Sequence, residues 1–383
     1  MKSNYKPLGN YIQPVDERNA NLLDLPLMGL SVSKVFFPTI ANLVGTDMRT
    51  YKIVYKNQFT YIADTSRRGD KIAIALNNQF DKMLVSQAYT PFEVKDINEL
   101  DPEYLMMWFR RPEFDRYARF KSHGSAREIF GWEEMCNTLL PIPHITKQRE
   151  IVKEYKVIQN RITLNQQLIQ KLEETAQAIY KQWFVDEVDD KWKKTEIKKY
   201  GNVVTGKTPS SEYPEDFGND MPFVTPGDFK NYNKFALEAE RNLSVTGFSK
   251  LKNKILTKGT IIITCIGSDM GKVAVSFKDC ITNQQMNSIV VHKSYYSDYL
   301  YYYLQSVAEE LKGIAMGGST MPMLSKSDFE KIEIIKPSDD KLLKFEKAMK
   351  PINEMSIQYS KENHKLTDLK SLLLSKLATT QTN

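Results

Sequence analysis

The chain has 383 residues, 41% of them apolar and 26% charged, with a formal net charge of +6 at pH 7. That length accommodates two or three domains with cores of their own, and no run approaches the ~20 uninterrupted apolar residues a membrane helix needs. Three cysteines without CxxC spacing (Cys136, Cys265, Cys280) and four scattered histidines argue against a disulfide frame and a zinc pattern. Residues Met1 to Asn10 lack a signal-peptide core, so a cytoplasmic location is expected, and the mild positive charge tilts toward a polyanion partner without deciding it.

In chain order, residues 1 to about 143 alternate short β-rich runs with turns, among them Tyr51–Tyr55, Phe59–Ala63 and Lys71–Leu76. One helix is predicted from about Pro102 to Phe120, entered by the proline and carrying Leu105, Trp108, Phe109 and Tyr117. From Ile151, apolar positions step by four and three through Tyr155, Ile158, Ile162, Asn165, Ile169, Leu172, Ala176, Ile179 and Trp183. That is the 3.5-residue seam of a coiled coil, in which Asn165 costs stability and helps fix register. Later come strands over Gly259–Thr264 and Lys272–Phe277 and a helix over Ser297–Lys312. A second seam runs Phe345, Met349, Ile352, Ser356, Tyr359, Asn363, Leu366, Lys370, Leu373 and Leu377, with Met355 and Leu369 strengthening a neighbouring stripe. Each long helix covers about 40 residues, roughly 60 Å. So narrow a stripe buries poorly alone, so the two helices are expected to pair antiparallel.

The second half repeats the first. Gly124-Ser125 matches Gly318-Ser319, Leu140–Pro143 matches Ile334–Pro337, Leu172 matches Leu366 and Trp183 matches Leu377, all at an offset of 194 residues (318 − 124). A repeat of domain size defines the architecture. It implies an α+β chain with two tandem α/β domains joined by two long antiparallel coiled-coil helices, in a circular, pseudo-two-fold arrangement. The expected boundaries are 1–145 and 188–338 for the domains, 146–187 for the central helix and 339–383 for the C-terminal one. Duplex DNA has local two-fold symmetry, which a duplicated reader suits.

Gly201–Thr208 fits the phosphate-loop pattern GxxxxGK[ST] letter for letter. The context is wrong, because Lys198-Lys199-Tyr200 is too polar for a central strand and Pro209 to Pro214 will not propagate a helix. There is no GxSxG, no HExxH and no histidine pair at metal-ligand spacing, so the chain reads as non-catalytic and without a bound metal.

Tyr200–Ser210, followed by Met221–Phe229, resembles the opening of a target recognition domain in the specificity subunits of type I restriction-modification systems. Leu139–Pro143 with Lys147–Val152 is similar to that family's entry into its long spacer helix, and Asn165–Trp183, with Leu168, to the helix further on. The resemblance covers essentially the whole chain. It implies two target recognition domains that bind double-stranded DNA without catalysis. It implies partners as well: two methyltransferase subunits and two restriction-translocase subunits, which would carry the S-adenosylmethionine, ATP and Mg2+ chemistry in a prokaryotic, nucleoid-associated complex. The first repeat departs from the pattern, since Leu8–Pro14 lacks the glycine–lysine–threonine turn and Gly29-Leu30-Ser31 replaces Thr225-Pro226-Gly227. The two domains should therefore read different half-sites.

On this reading the helices act as a ruler, and loops reach base edges in the major groove while lysines and arginines hold phosphate. Candidate DNA-binding residues in the first domain are Ser66, Arg67, Arg68, Lys121, Ser122, His123, Ser125 and Arg127, of which the arginines can present bidentate forks to guanine or, alternatively, only hold phosphate or sit on a solvated face. In the second they are Lys230, Asn231, Ser268, Asp269, Lys272, Ser319 and Thr320. Gly124 and Gly318 serve backbone turns, and the tyrosines of 295–303 read as core aromatics before base-stacking platforms. A regulatory or decoy paralogue, binding methyltransferase subunits without directing modification, would carry the same motifs. An NTP-driven DNA enzyme using Lys207 is the third alternative.

Overall fold

The computed structural model describes residues 5–39, 45–65, 69, 71–124, 128–267, 269–315 and 323–379. The chain divides into two compact units, one formed by 1–162 with 364–383 and the other by 163–363. Each long helix therefore contributes a segment to both.

In the first unit an antiparallel four-stranded sheet has the order Ile12–Pro14, Thr90–Val94, Phe59–Ile62, Ala73–Leu76. Its inner face stacks Phe59 on Phe92 at 4.9 Å and sets both edge-on to Phe109. Phe109 ends a helix over Pro102–Phe109, which Asp101 caps by accepting from the N–H groups of Glu103 and Tyr104. The single helix expected over 102–120 is two: the second, Pro112–Phe120, starts afresh at a proline. Pro112 has no N–H to continue the ladder, and Arg111 before it is extended (ψ 136°), as a pre-proline residue prefers. Tyr5–Pro7 pairs with Leu139–Pro141, which leads into the central helix Ile145–Lys181. Ile151, Val152 and Tyr155 of that helix share this unit's core with Leu374 and Leu377 of the C-terminal helix.

The second unit is built the same way. Its five-stranded sheet has the order Gly201–Thr205, Met286–Val291, Ile261–Thr264, Val273–Ser276, Phe235–Ala236. A smaller sheet orders Phe217–Gly218, Asn242–Leu243, Met221–Val224 and Ile281–Thr282. Lys193–Glu196 pairs with Glu333–Lys336, the counterpart of the terminal pair in the first unit. The helix expected over 297–312 is broken into Tyr296–Ser306 and Ala308–Ala315. The Ser306 hydroxyl donates to the Tyr303 carbonyl (2.7 Å), a back-bond that competes with the helix ladder at the break. Tyr299, Tyr301 and Tyr302 are buried in this unit's core.

Within the second unit, the segment of the C-terminal helix Asp339–Lys376 runs antiparallel to that of the central helix. Asn165 meets Asn363, while Tyr180 and Phe184 pack on Phe345 near the other end. The seam holds Ile162, Asn165, Ile169 and Ala176 buried, with Leu172 half-buried. It then passes to Tyr180 and Phe184, leaving the expected Ile179 and Trp183 half-buried. The shift is made at Tyr180, before the π turn Gln182–Asp186 that ends the helix, because a straight helix of 3.6 residues per turn drifts off a strict 3.5-residue seam. On the C-terminal helix, Ile352, Tyr359, Leu366 and Leu373 are half-buried, and Leu374 takes the buried place expected of Leu373. Ile158 is half-buried, whereas Met355 and Leu369 face solvent and strengthen no stripe.

Candidate nucleic-acid interface

In the first unit, two loops start from one small patch of backbone pairing. Phe130 N–H donates to the Ala63 carbonyl (2.9 Å), Thr65 N–H donates to the Glu128 carbonyl (3.0 Å), and Asp64 bridges Ile129. His123 and Ile129 exchange both backbone hydrogen bonds (3.2 and 2.9 Å), which holds these two positions together. Gly124 follows at φ 140°, a conformation that glycine adopts without penalty. The segments beyond Thr65 and beyond Gly124 thus leave side by side. Ser66, Arg67, Arg68, Ser125 and Arg127 lie outside the described residues, but the roots that carry them are within.

Ser122 is buried: its hydroxyl donates to the Ala118 carbonyl (2.6 Å) and accepts from Thr65 (2.8 Å), and it is only 8% exposed. It therefore ties the two loop roots together. Lys121 is half-buried at 3.7 Å from the Glu134 carboxylate, and His123 is exposed.

The second unit repeats the device. Leu324 N–H donates to the Cys265 carbonyl (2.9 Å) and Ile266 bridges Met323. The chain leaving Ile266 and the chain arriving at Met323 are adjacent. Leu324 stands to Phe130 at the same offset of 194 residues (324 − 130). Ser268, Ser319, Thr320 and Gly318 lie outside the described residues. Asp269 and Lys272 form an ion pair at 2.7 Å across the first loop. Lys230 pairs with Glu240 at 2.8 Å, which raises its pKa, and Asn231 beside it is exposed.

Gly201–Thr208 is an edge strand that runs on into a turn. A Cβ at Gly206 would stand 2.1 Å from the Asn283 carbonyl oxygen, so only glycine fits. Gly206 N–H donates to Met286 (3.2 Å) and Lys207 N–H to Thr282 (2.9 Å). A nucleotide loop turns such N–H groups outward at a helix N-terminus. Here both are consumed by the neighbouring chain, and the turn leads on only to the short 3-10 helix Pro214–Asp216. The same edge carries the loop roots: Thr205 donates to Asn287 Oδ1 (2.7 Å), Asn287 Nδ2 donates to the Leu324 carbonyl (3.2 Å), and Cys265 N–H donates to Gln285 (2.9 Å). Among the described residues, no group of histidine, cysteine or carboxylate side chains is arranged to hold a metal, and no helix is long and apolar enough to cross a membrane.

A model of the type I restriction modification DNA specificity domain matches residues 32–174 and 189–367. The chain belongs to this family. The type I restriction enzyme HindI specificity subunit of Haemophilus influenzae is 26% identical over 414 residues, covering 88% of this chain and 89% of that protein. The MjaIX specificity subunit of Methanocaldococcus jannaschii is 31% identical over 187 residues, 48% of this chain and 43% of that one. The crystal structure of the type I restriction-modification S subunit from M. genitalium shares the fold, with a TM-score of 0.60 at 15% identity over 99% of this chain and 96% of that one. Each matched specificity-domain segment contains one complete pair of loop roots, 63–65 with 128–130 and 265–266 with 323–324. In sequence the Gly206–Thr208 turn reads as a false nucleotide motif and as part of the opening of a target recognition domain, and its place beside those roots goes unseen.

Proposed function

We propose that this chain reads a bipartite, gapped DNA target with one unit per half-site, and that it directs adenine methylation and restriction by partner subunits. The observation that carries this reading is the repeated pair of loop roots, each held by backbone pairing at the edge of a packed unit. Sequence readout needs that arrangement: side chains on loops reach base edges, while a rigid scaffold fixes their register. The loops in the first unit carry Arg67, Arg68 and Arg127, whose forks match the O6 and N7 acceptors of guanine. The units differ in their loop residues, so the half-sites differ. The chain itself does no chemistry. Two methyltransferase and two restriction-translocase subunits supply it with S-adenosylmethionine, ATP and Mg2+, in the cytoplasm and on the nucleoid.

The test is methylome sequencing of cells that express this chain with its neighbouring methyltransferase, against methyltransferase alone. A new gapped motif with methyladenine in each half is the expected result. A stable complex without any new motif would make the chain a decoy, and failure to form a complex would overturn the proposal.

A further inference from the structure

The turn at Gly206–Thr208 gathers hydrogen-bond donors. Lys207 and Thr208 are exposed. Thr208 donates its hydroxyl to Gln284 Oε1 (2.5 Å), which occupies the amide's acceptor and leaves its NH2 group as an exposed donor. The Lys254 ammonium donates to the Thr205 carbonyl two residues before Lys207 (2.9 Å), with further N–H bonds to give. Among the described residues no carboxylate forms an ion pair with Lys207 or Lys254, although lysines elsewhere in this unit, such as Lys230, Lys250 and Lys272, do have such partners. Two ammonium groups and one amide NH2 make a donor set suited to phosphate oxygen. The turn itself is rigid, because Gly206 is wedged against the 282–283 backbone.

We propose that Lys207, Lys254 and the Gln284 amide form a phosphate clamp that grips the DNA backbone beside the half-site read by the second unit. This rests on the DNA-reading function proposed above. A nucleotide polyphosphate is the other source of the same chemistry. It fits less well, because the N–H groups of Gly206 and Lys207 that would cradle it are already bonded.

The experiment uses the full chain in complex with its methyltransferase, a labelled duplex of unrelated sequence, and fluorescence anisotropy over a range of salt concentrations. Each phosphate contact contributes about 0.9 to the slope of log affinity against log salt. Lys207→Gln and Lys254→Gln are therefore each expected to lower that slope by about one, and the double variant by about two. Both are substitutions of lysines that make no ion pair among the described residues, and circular dichroism checks the fold. If the wild-type complex binds DNA and neither variant changes the slope, the clamp is wrong and the DNA-reading function stands. If the wild-type complex binds no DNA, both fall. A parallel titration with a fluorescent ATP analogue separates the two sources. Binding of that analogue, lost in Lys207→Gln while the DNA slope stays unchanged, would overturn the clamp in favour of a nucleotide site.

Discussion

Asn165 donates from Nδ2 to the Oδ1 of Asn363 at 2.9 Å, an amide pair set into the apolar seam between the two long helices. Asn165 is fully buried, and its own Oδ1 accepts nothing among the described residues. The pair is therefore a device for register more than for stability. Asn363→Leu leaves a buried amide without its acceptor and is expected to cost about 1–3 kcal/mol. Adding Asn165→Leu removes the stranded group and should recover most of that loss, because two apolar partners in a seam are close to neutral. Urea unfolding of the two single variants and the double variant tests this. Additive losses would show that the two amides act independently.

A second polar group in the second unit has a pH signature. Glu173 on the central helix accepts from the Tyr302 hydroxyl and from Gln177, each at 3.3 Å, and burial raises its pKa from the ordinary 4.5, with Lys234 partly opposing the shift. Lys234 is itself buried and bonded to Asp298 (2.5 Å) and Asn353 (3.0 Å). A carboxyl whose pKa is raised by folding binds more protons in the native state than in the unfolded one. Its contribution to stability is full below 4.5 and is lost as pH rises through the higher folded value. Glu173→Gln keeps an acceptor for Tyr302 and removes that penalty. The variant should melt higher than wild type at pH 8, with the gain shrinking toward pH 4. A melting difference that is constant across this range would mean that Glu173 titrates normally.

The repeat was legible because it is written in residue identity at a constant offset, and the helices because apolar residues kept a seven-residue rhythm from Ile151 onward. Strands such as Ile261–Thr264 showed as short buried runs. The helix break at Pro112 was legible in principle, since proline removes a donor. The shift from Ile179 and Trp183 to Tyr180 and Phe184 was not, because it depends on how closely the helix keeps its straight 3.6-residue period, which no single residue announces. Nor was the meeting of Thr65 with Glu128 or of Cys265 with Leu324, which depends on contacts between segments about sixty residues apart in sequence. Ser122 looked like a loop side chain until Ala118 and Thr65 were seen to use both of its hydrogen-bonding roles.

Arginines in the paired loops should act on one half-site. Arg67→Ala or Arg127→Ala is expected to relax base preference in the first unit's half of the motif, by about 1–3 kcal/mol per lost bidentate contact, and to leave the other half unchanged. Competition binding with duplexes mutated in one half at a time distinguishes the outcomes. Equal weakening on every duplex would reassign these arginines to phosphate.

On the proposed function, the spacing of the two half-sites is expected to follow helix length. Removing two heptads from each long helix keeps the apolar rhythm in phase and shortens each by about 21 Å, at about 1.5 Å per residue. The segments that pack into the cores, Ile151–Tyr155 with Leu374–Leu377 and Ala176–Phe184 with Phe345–Met349, must be left intact so that both units keep their folds. Such a variant, expressed with the methyltransferase, should lose the original motif or exchange it for one with a different gap. The methylome reads this directly. If the shortened protein methylates the unaltered motif, the helices do not set the gap, and spacing must reside in the loops or the partner subunits.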